Sequence, residues 1–433
     1  MKVLIIGAGI SGLASAYWLG RAGYETEVLE SGEKPGGRMV TLKRNGDRLD
    51  VGAQFYHTNF KHCFGLMTAM KMSGERTEVT GSMVYRLRDG SVRSYPRGTV
   101  YMDLLGLKGN LKLYWNVIKL LVFGTKIIPY HINDPIPDSD RVAVLDHFNK
   151  ESDRALRDFL IFPLAVGATM GPPEYMSLYH FIRALHTFAI SHHVCLARGV
   201  ASLAEALAKV VGVQYGSPVK RLVMEKGKVI GAVMENGQVR KADQVIVALD
   251  SASAARIMPE ELPEERRFFE SIIYSPAPMP VFFLDRPLPG NIWNYWSDPR
   301  LKRTFLFAID GRAKVPQMCP SGKSVLTFWA VLPQTQDLMK QPDSDLIKQA
   351  NEDAELMIPG VSGWIEDIRI VRLPYATEQY PPGAYQRVMD FKHRAEKLEG
   401  ISFAGSLLGG TNMESAAGSA FDAVARVRKA LGS

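Results

Sequence analysis

Gly7, Gly9 and Gly12 stand in the spacing G-x-G-x-x-G, with Ile10 and Ser11 inside the motif and Glu30 beyond it. This set suits a dinucleotide. The first glycine permits a tight turn, the second lets backbone approach a pyrophosphate, and the third lets helix and strand pack closely. The anion would rest on free N–H groups at a helix N-terminus, where the dipole favours negative charge. Glu30 is placed to accept hydrogen bonds from a ribose diol. The motif alone does not separate NAD from FAD. Gly36-Gly37-Arg38 tips the reading to FAD, because a guanidinium fork matches phosphate oxygens.

These residues need a βαβ unit to hold them. Residues 3–6 are a short aliphatic run of the kind found in buried parallel strands. Residues 13–22 have helix-forming composition, Gly23 marks the helix end, and residues 26–29 read as a second strand closed by Glu30. Further along, residues 202–210 read as a helix. Residues 217–248 read as a β-meander with hairpin signals at Lys226-Gly227 and Asn236-Gly237. The stretch 271–394 is rich in proline and aromatics and carries alternating runs at 281–284 and 324–331. A short strand at 401–405 and a helix at 413–431 close the chain.

With 433 residues, two interlocked domains are expected. The formal charge of +7 is modest, and without a long Lys/Arg run no nucleic-acid partner is expected. Three cysteines (Cys63, Cys195, Cys319) are too widely spaced for a metal site or a disulfide framework, which fits a reducing, cytoplasmic setting. The glycines near the N-terminus argue against a signal peptide. The lysine-dotted apolar stretch over about 100–130 (Leu104, Leu105, Leu107, Leu111, Leu113, Trp115, Val117, Ile118, Leu120, Leu121) has helical spacing. It fits either a core helix or an amphipathic segment making peripheral membrane contact or guarding a greasy entrance.

The segment from Val3 to Arg38 resembles the N-terminus of the flavin-containing amine oxidase, protoporphyrinogen oxidase and phytoene desaturase superfamily. Three later segments are similar to the same superfamily. Asp50-Val51-Gly52-Ala53-Gln54-Phe55 resembles its second cofactor motif, where backbone lies near the flavin ring. Pro218-Val219-Lys220-Arg221-Leu222 resembles the strand whose Val main chain contacts adenine. Phe403-Ala404-Gly405-Ser406 with Met413-Glu414-Ser415-Ala416 resembles the closing motif, whose helix amides face the flavin pyrimidine. The family usually has an acid after the closing Ala-Gly, binding a ribityl hydroxyl; Ser406 stands there instead. The family's covalent-flavin cysteine has no counterpart near this motif.

The resemblance implies an α/β, Rossmann-like FAD-binding domain (GR2-type flavoprotein) interleaved with an α+β substrate domain. The expected division is 1–75, 196–270 and 394–433 for FAD, against 76–195 and 271–393 for substrate. It also implies non-covalent FAD and a small organic substrate that supplies hydride to the flavin, since no second G-x-G-x-x-G provides for a nicotinamide. Amine oxidases of the family carry a lysine on a substrate-domain strand and two aromatics flanking the flavin. Residues 274–284 hold no lysine; one aromatic position resembles Tyr375, and the other is Asn412, beside Met413. Residues 159–181 resemble protoporphyrinogen oxidases and carotenoid-type desaturases, so dehydrogenation of a largely apolar substrate is preferred. Amine oxidation and redox-neutral isomerisation are the alternatives. His57, Tyr375, Tyr380 and Asn412 are the catalytic candidates, and His186, His192 and His193 are further titratable groups in the substrate domain. No metal is expected, and the oligomeric state is left open.

Overall fold

β1 (Lys2–Ile6) carries Val3, Leu4, Ile5 and Ile6 into the interior with side chains buried on both faces. A strand buried on both faces needs parallel neighbours and covering layers. It has them: β2 (Glu25–Leu29) on one side and Gln244–Val247 on the other, with Ile401–Phe403 beyond, all parallel. Between β1 and β2 runs α1 (Ile10–Arg21). Leu13, Ala14 and Ala16 of α1 pack in one core with Ala417 and Ala420 of helix Met413–Ala430 and Ala204 of helix Ala201–Val211. Small side chains at these contacts let the helices lie close to one another and to the sheet. Computed as a structural model, the protein is described here over residues 1–99, 101–122 and 130–432.

The meander follows its turn signals. Val219–Glu225, Lys228–Met234 and Val239–Lys241 form an antiparallel sheet. The first turn places Lys226 and Gly227 at φ of 50° and 81°, the pair of positive values a two-residue hairpin requires.

A second, seven-stranded sheet carries the other half of the molecule. Its two longest strands, Tyr274–Leu284 and Ile365–Glu378, pair antiparallel along most of their length. Pro276, Pro278 and Pro280 fall in the first of these, although proline lacks a donor for a ladder. They are tolerated because the neighbour on that side, Val325–Trp329, pairs only with Val281 to Phe283.

One boundary differs from expectation. Helix Ala384–Ala395, assigned by sequence to the substrate domain, buries Tyr385, Val388 and Phe391 in the same core as Leu4, Ile6 and Phe403. Helix Gly106–Val122 is amphipathic, with Leu113 on the side packed against the core. Leu105 just before it is buried, but Leu107, Leu111, Trp115 and Ile118 are exposed. Residues 100 and 123–129 of the expected 100–130 segment lie outside the described residues, as do the side chains of Leu120 and Leu121. No helix among the described residues is long and apolar enough to cross a membrane.

The packing at Gly12 is among the tightest constraints in the first unit. A Cβ there would sit 1.9 Å from the carbonyl oxygen of Gly7. Gly12→Ala is therefore expected to lower the unfolding free energy by about 3 kcal/mol or more. Urea denaturation would measure this, and a loss below about 1 kcal/mol would contradict the close packing.

Candidate functional site

The glycine turn sits at the carboxyl end of β1, where open parallel sheets bind ligands. Gly9 is the N-cap of α1 and has no side chain to satisfy the first-turn amides. A Cβ at Gly7 would strike the Ala248 carbonyl at 2.4 Å, whereas one at Gly9 would meet no atom within 4 Å. The turn is thus closed on its packing side and open over Gly9. Ile10 and Ser11 lie in the first turn of α1 and are buried. Glu30 follows β2, and its carboxylate accepts the Ala8 N–H at 2.8 Å and the Gly32 N–H at 2.8 Å. Val219 opens its strand close by, since the Ser217 N–H donates to the Glu30 carbonyl at 2.8 Å.

Gly36 and Gly37 fold back onto this turn, with the Gly36 N–H on the Ala8 carbonyl at 2.8 Å. Arg38 then leaves the turn. Its guanidinium pairs with Glu378 at 2.9 Å and donates to the Ser406 hydroxyl at 2.7 Å and the Ala376 carbonyl at 3.2 Å. The expected fork toward phosphate is instead largely engaged by protein. Burial works against the charge, but Glu378 together with Tyr274 and Asp250 outweighs it and holds the guanidinium protonated beyond the ordinary arginine range. Ser406 follows Gly405 at the carboxyl end of Ile401–Phe403.

A cavity of about 620 Å³ opens beside these groups. Gly52, Ala53, Gln54 and Phe55 line it from one side, and Asn412 and Met413 from another. The two segments expected at a flavin ring therefore meet on one cavity from distant parts of the chain. The 50–55 segment is pinned from behind by Lys314, whose side chain is fully buried. Its ammonium donates to Gln54 Oε1 at 2.8 Å, while the Gln54 amide donates to the carbonyls of Asp50 (2.8 Å) and Gly52 (3.1 Å). Asn412 caps helix Met413–Ala430, accepting the Ser415 N–H at 2.8 Å. Its side-chain oxygen is thereby occupied, and Asn412 positions the helix start rather than forming half of an aromatic pair. The helix N-terminus it caps is suited to negative charge on a ring placed there.

His57 lines the cavity, and its Nδ1 lies 3.0 Å from Ser191 Oγ. Ser191 already donates its proton to the Thr187 carbonyl at 2.6 Å. The His57 Nδ1 must therefore be the donor, which leaves Nε2 as a lone pair. Burial lowers the His57 pKa to about 4, so the ring is neutral and weakly basic at neutral pH. His186, His192 and His193 also line the cavity. His193 stacks on Phe55 at 4.4 Å and is held neutral by burial and by the neighbouring His57 and Lys314.

Two sequence candidates lie elsewhere. Tyr375 is 40% exposed and borders a separate outer groove, against the edge of Tyr274. The cause is a bulge. Ala277 pairs with Leu373 but Ser275 pairs with Thr377, so the extra residues turn Tyr375 outward and put Thr377 at the cavity. Tyr380 is fully buried behind the wall, stacked on His180 at 4.8 Å and donating to the Leu407 carbonyl at 3.2 Å.

The sequence reading also missed residues. Arg183, from helix Leu178–Ile190, lines the cavity and donates to the carbonyls of His131 and Gly409. A lone cation in an otherwise apolar helix was its only signal. Glu378 and Lys314 had no local signal at all.

Comparison with known proteins places this arrangement. The family described as flavin containing amine oxidoreductase matches residues 10–428. A phytoene desaturase (neurosporene-forming) of Cereibacter sphaeroides is 28% identical over 291 residues, 58% of this chain and 53% of that protein. The match thus spans about half the length of that relative. A protoporphyrinogen oxidase described as putative in its own report, from Exiguobacterium sp. 255-15, superposes with a TM-score of 0.76 at 19% identity, over 99% of this chain and 98% of that one. Cyclohexylamine oxidase from Brevibacterium oxydans IH-35A gives 0.78 at 17% identity, over 100% and 99%. At such identities these two structures share the fold alone.

The buried histidines set a pH dependence. Unfolded imidazoles protonate near pH 6.5, whereas burial delays His57 to about 4 and burial with the Arg183 charge delays His180 to about 3. Between these values the unfolded chain binds more protons, so stability is full above about pH 6.5 and falls as pH drops toward 4. Thermal midpoints measured from pH 7 to 4 should fall in that window. His57→Asn should remove part of the slope, and an unchanged slope would contradict a neutral buried His57.

Proposed function

Because the chain belongs to the flavin containing amine oxidoreductase family, matched over residues 10–428, we propose that it binds one FAD non-covalently and dehydrogenates a large, mostly apolar substrate. The residues present fit that cofactor: an open, uncapped glycine turn for the diphosphate, Glu30 for the ribose, and a helix N-terminus with the 52–55 backbone for the ring. Bound there, FAD supplies a two-electron acceptor.

One observation carries the choice of substrate. No aspartate, glutamate or lysine lines the cavity among the described residues. Its walls include Phe60, Tyr85, Phe159, Trp296 and Trp329, and its charged members are Arg97 and Arg183. An ammonium substrate would meet no carboxylate, and the imidazoles of His57, His180, His186 and His193 are weakened as bases by burial. The aromatic walls instead exclude water and orient an apolar skeleton. Desaturation of such a skeleton takes one hydride, for which FAD would be the acceptor, and one proton from the resulting cation, acidic enough for a neutral imidazole such as that of His57 to take.

Anaerobic mixing of the FAD-loaded protein with polyenes, porphyrinogens and amines tests this. Bleaching of the flavin absorbance by a polyene or porphyrinogen is the expected result. Bleaching by amines alone would move the assignment to amine oxidation. Rearrangement of a polyene with no net oxidation would move it to isomerisation.

The exposed side of helix Gly106–Val122 supports a second proposal, peripheral contact with an anionic bilayer. Leu107, Leu111, Trp115 and Ile118 form one exposed apolar stripe at helical spacing, flanked by exposed Lys108 and Lys119. Leu111→Asp together with Trp115→Asp should reduce the partition coefficient onto vesicles containing phosphatidylserine by about a hundredfold or more, each apolar group contributing of order 1.5–3 kcal/mol. Equal sedimentation of wild type and variant would reject the stripe as the contact.

A further inference from the structure

We propose, resting on the FAD reading above, that Arg183 supplies a fixed positive charge that stabilises the negative charge left on the flavin ring by reduction. Arg183 rises from helix Leu178–Ile190, lines the cavity and is only 8% exposed. Its guanidinium donates to the carbonyls of His131 and Gly409, the latter at 2.7 Å, and to the Tyr179 hydroxyl at 3.4 Å. The ring faces of Tyr179 and Tyr385 lie 5.6 Å and 5.2 Å from its central carbon. Each of these partners is neutral, and no aspartate or glutamate lines the cavity among the described residues. Arg97, the other cation there, is already paired with Glu78 at 2.5 Å.

The place of this charge makes it costlier still. A Cβ on Gly410 would lie 3.7 Å from Arg183 Nη2, 3.9 Å from Asn412 Nδ2 and 3.3 Å from Ser415 Oγ. The guanidinium therefore stands at the N-terminus of helix Met413–Ala430, where Asn412 is the cap and Ser415 lies in the first turn. Positive charge is disfavoured at that end of a helix. Glu414, the acid of the first turn, does not offset it. Its carboxylate accepts the N–H groups of Lys61, His62 and Cys63 and contacts the His62 ring. A buried cation in this setting has lost hydration without gaining a counter-ion. An anion in the cavity is what would stabilise it.

The reaction proposed above generates one there. As hydride leaves the substrate, its C–H bond breaks and the electron pair goes with the hydrogen to form an N–H bond on the ring. The substrate carbon becomes a cation and the neutral ring an anion. Direct contact with Arg183 is not required, because at an effective dielectric of about 20 a unit charge about 12 Å away still shifts an equilibrium about tenfold. A helix end contributes only about half a charge, whereas the guanidinium is a whole one and is never deprotonated. His180 and His186, on the same helix, add none, since burial and then the Arg183 charge make both less basic.

The test is the two-electron midpoint potential of the bound flavin, measured anaerobically against a dye of known potential. Arg183→Gln should hold reduced FAD, relative to oxidised FAD, about tenfold more weakly than wild type does, a fall in potential of about 30 mV. Arg183→Lys, which keeps the charge, should preserve that ratio within about threefold. A side chain that merely ties His131 to Gly409 would loosen both redox forms together on substitution and leave the potential where it was. An unmoved potential in Arg183→Gln, or equal falls in the Gln and Lys variants, would overturn the proposal. If Arg183→Gln does not fold, the reduced flavin of wild type is titrated by its absorbance. It should keep its negative charge to a pH at least about one unit below that at which free reduced FAD loses it, and identical titration of bound and free flavin would overturn the proposal. Wild type that takes up no FAD would instead sink the FAD reading itself.

Discussion

Bare backbone between Gly7 and Gly12 decides where α1 begins and what lies over its first turn. With a carbonyl 1.9 Å from the place of a Gly12 Cβ, the helix can approach β1 only if that side chain is absent. Because Gly9 offers no cap, the first amides of the helix are left for something else. Glu30 follows from the same arrangement, since its carboxylate is oriented by the N–H groups of Ala8 and Gly32. The close packing that stabilises the unit is also what prepares it for an anion.

The second half of the molecule is tied to this unit by an ion pair whose carboxylate, Glu378, is buried and whose guanidinium, Arg38, is half-buried. Removing Arg38 would leave the buried carboxylate without its ionic partner. Arg38 and Glu378 therefore hold the glycine-rich segment and the long strand of the seven-stranded sheet in one register. That register sets Thr377, Phe55 and Met413 around a single cavity. Lys314 does similar work behind the 50–55 segment, where its ammonium spans Gln54 and approaches Asp50. Position is the main thing these residues contribute. Burial holds His57, His180, His186 and His193 toward the neutral form, and aromatic side chains form part of the cavity's walls.

What could be read from the sequence was local. The glycine turn, the Lys226-Gly227 hairpin and helix Met413–Ala430 announce themselves through φ requirements, periodicity and small residues within a few positions of one another. Tyr375 could not be placed that way, because two extra residues between Leu373 and Thr377 bulge out of the strand pairing and carry Tyr375 with them. Asn412 read as a gap in an aromatic pair, yet its side chain is committed to the N-cap. Lys314 and Glu378 acquire meaning from Gln54 and Arg38, far away in the chain, and Arg183 from the carbonyls of His131 and Gly409 that it joins across the fold. Helix Gly106–Val122 fitted two readings because an apolar stripe looks the same whether it faces a core or a bilayer.

Calorimetric titration of the apoprotein with FAD, for wild type and for Gly9→Ala, tests the central claim most directly. A methyl at Gly9 touches no protein atom within 4 Å, so the variant should fold as wild type does. Wild type should bind one FAD per chain with a Kd of about 1 µM or tighter, and the variant at least about tenfold more weakly, because its methyl occupies the space of the diphosphate. Wild type that binds no FAD, or a variant that binds it equally well, would contradict the account.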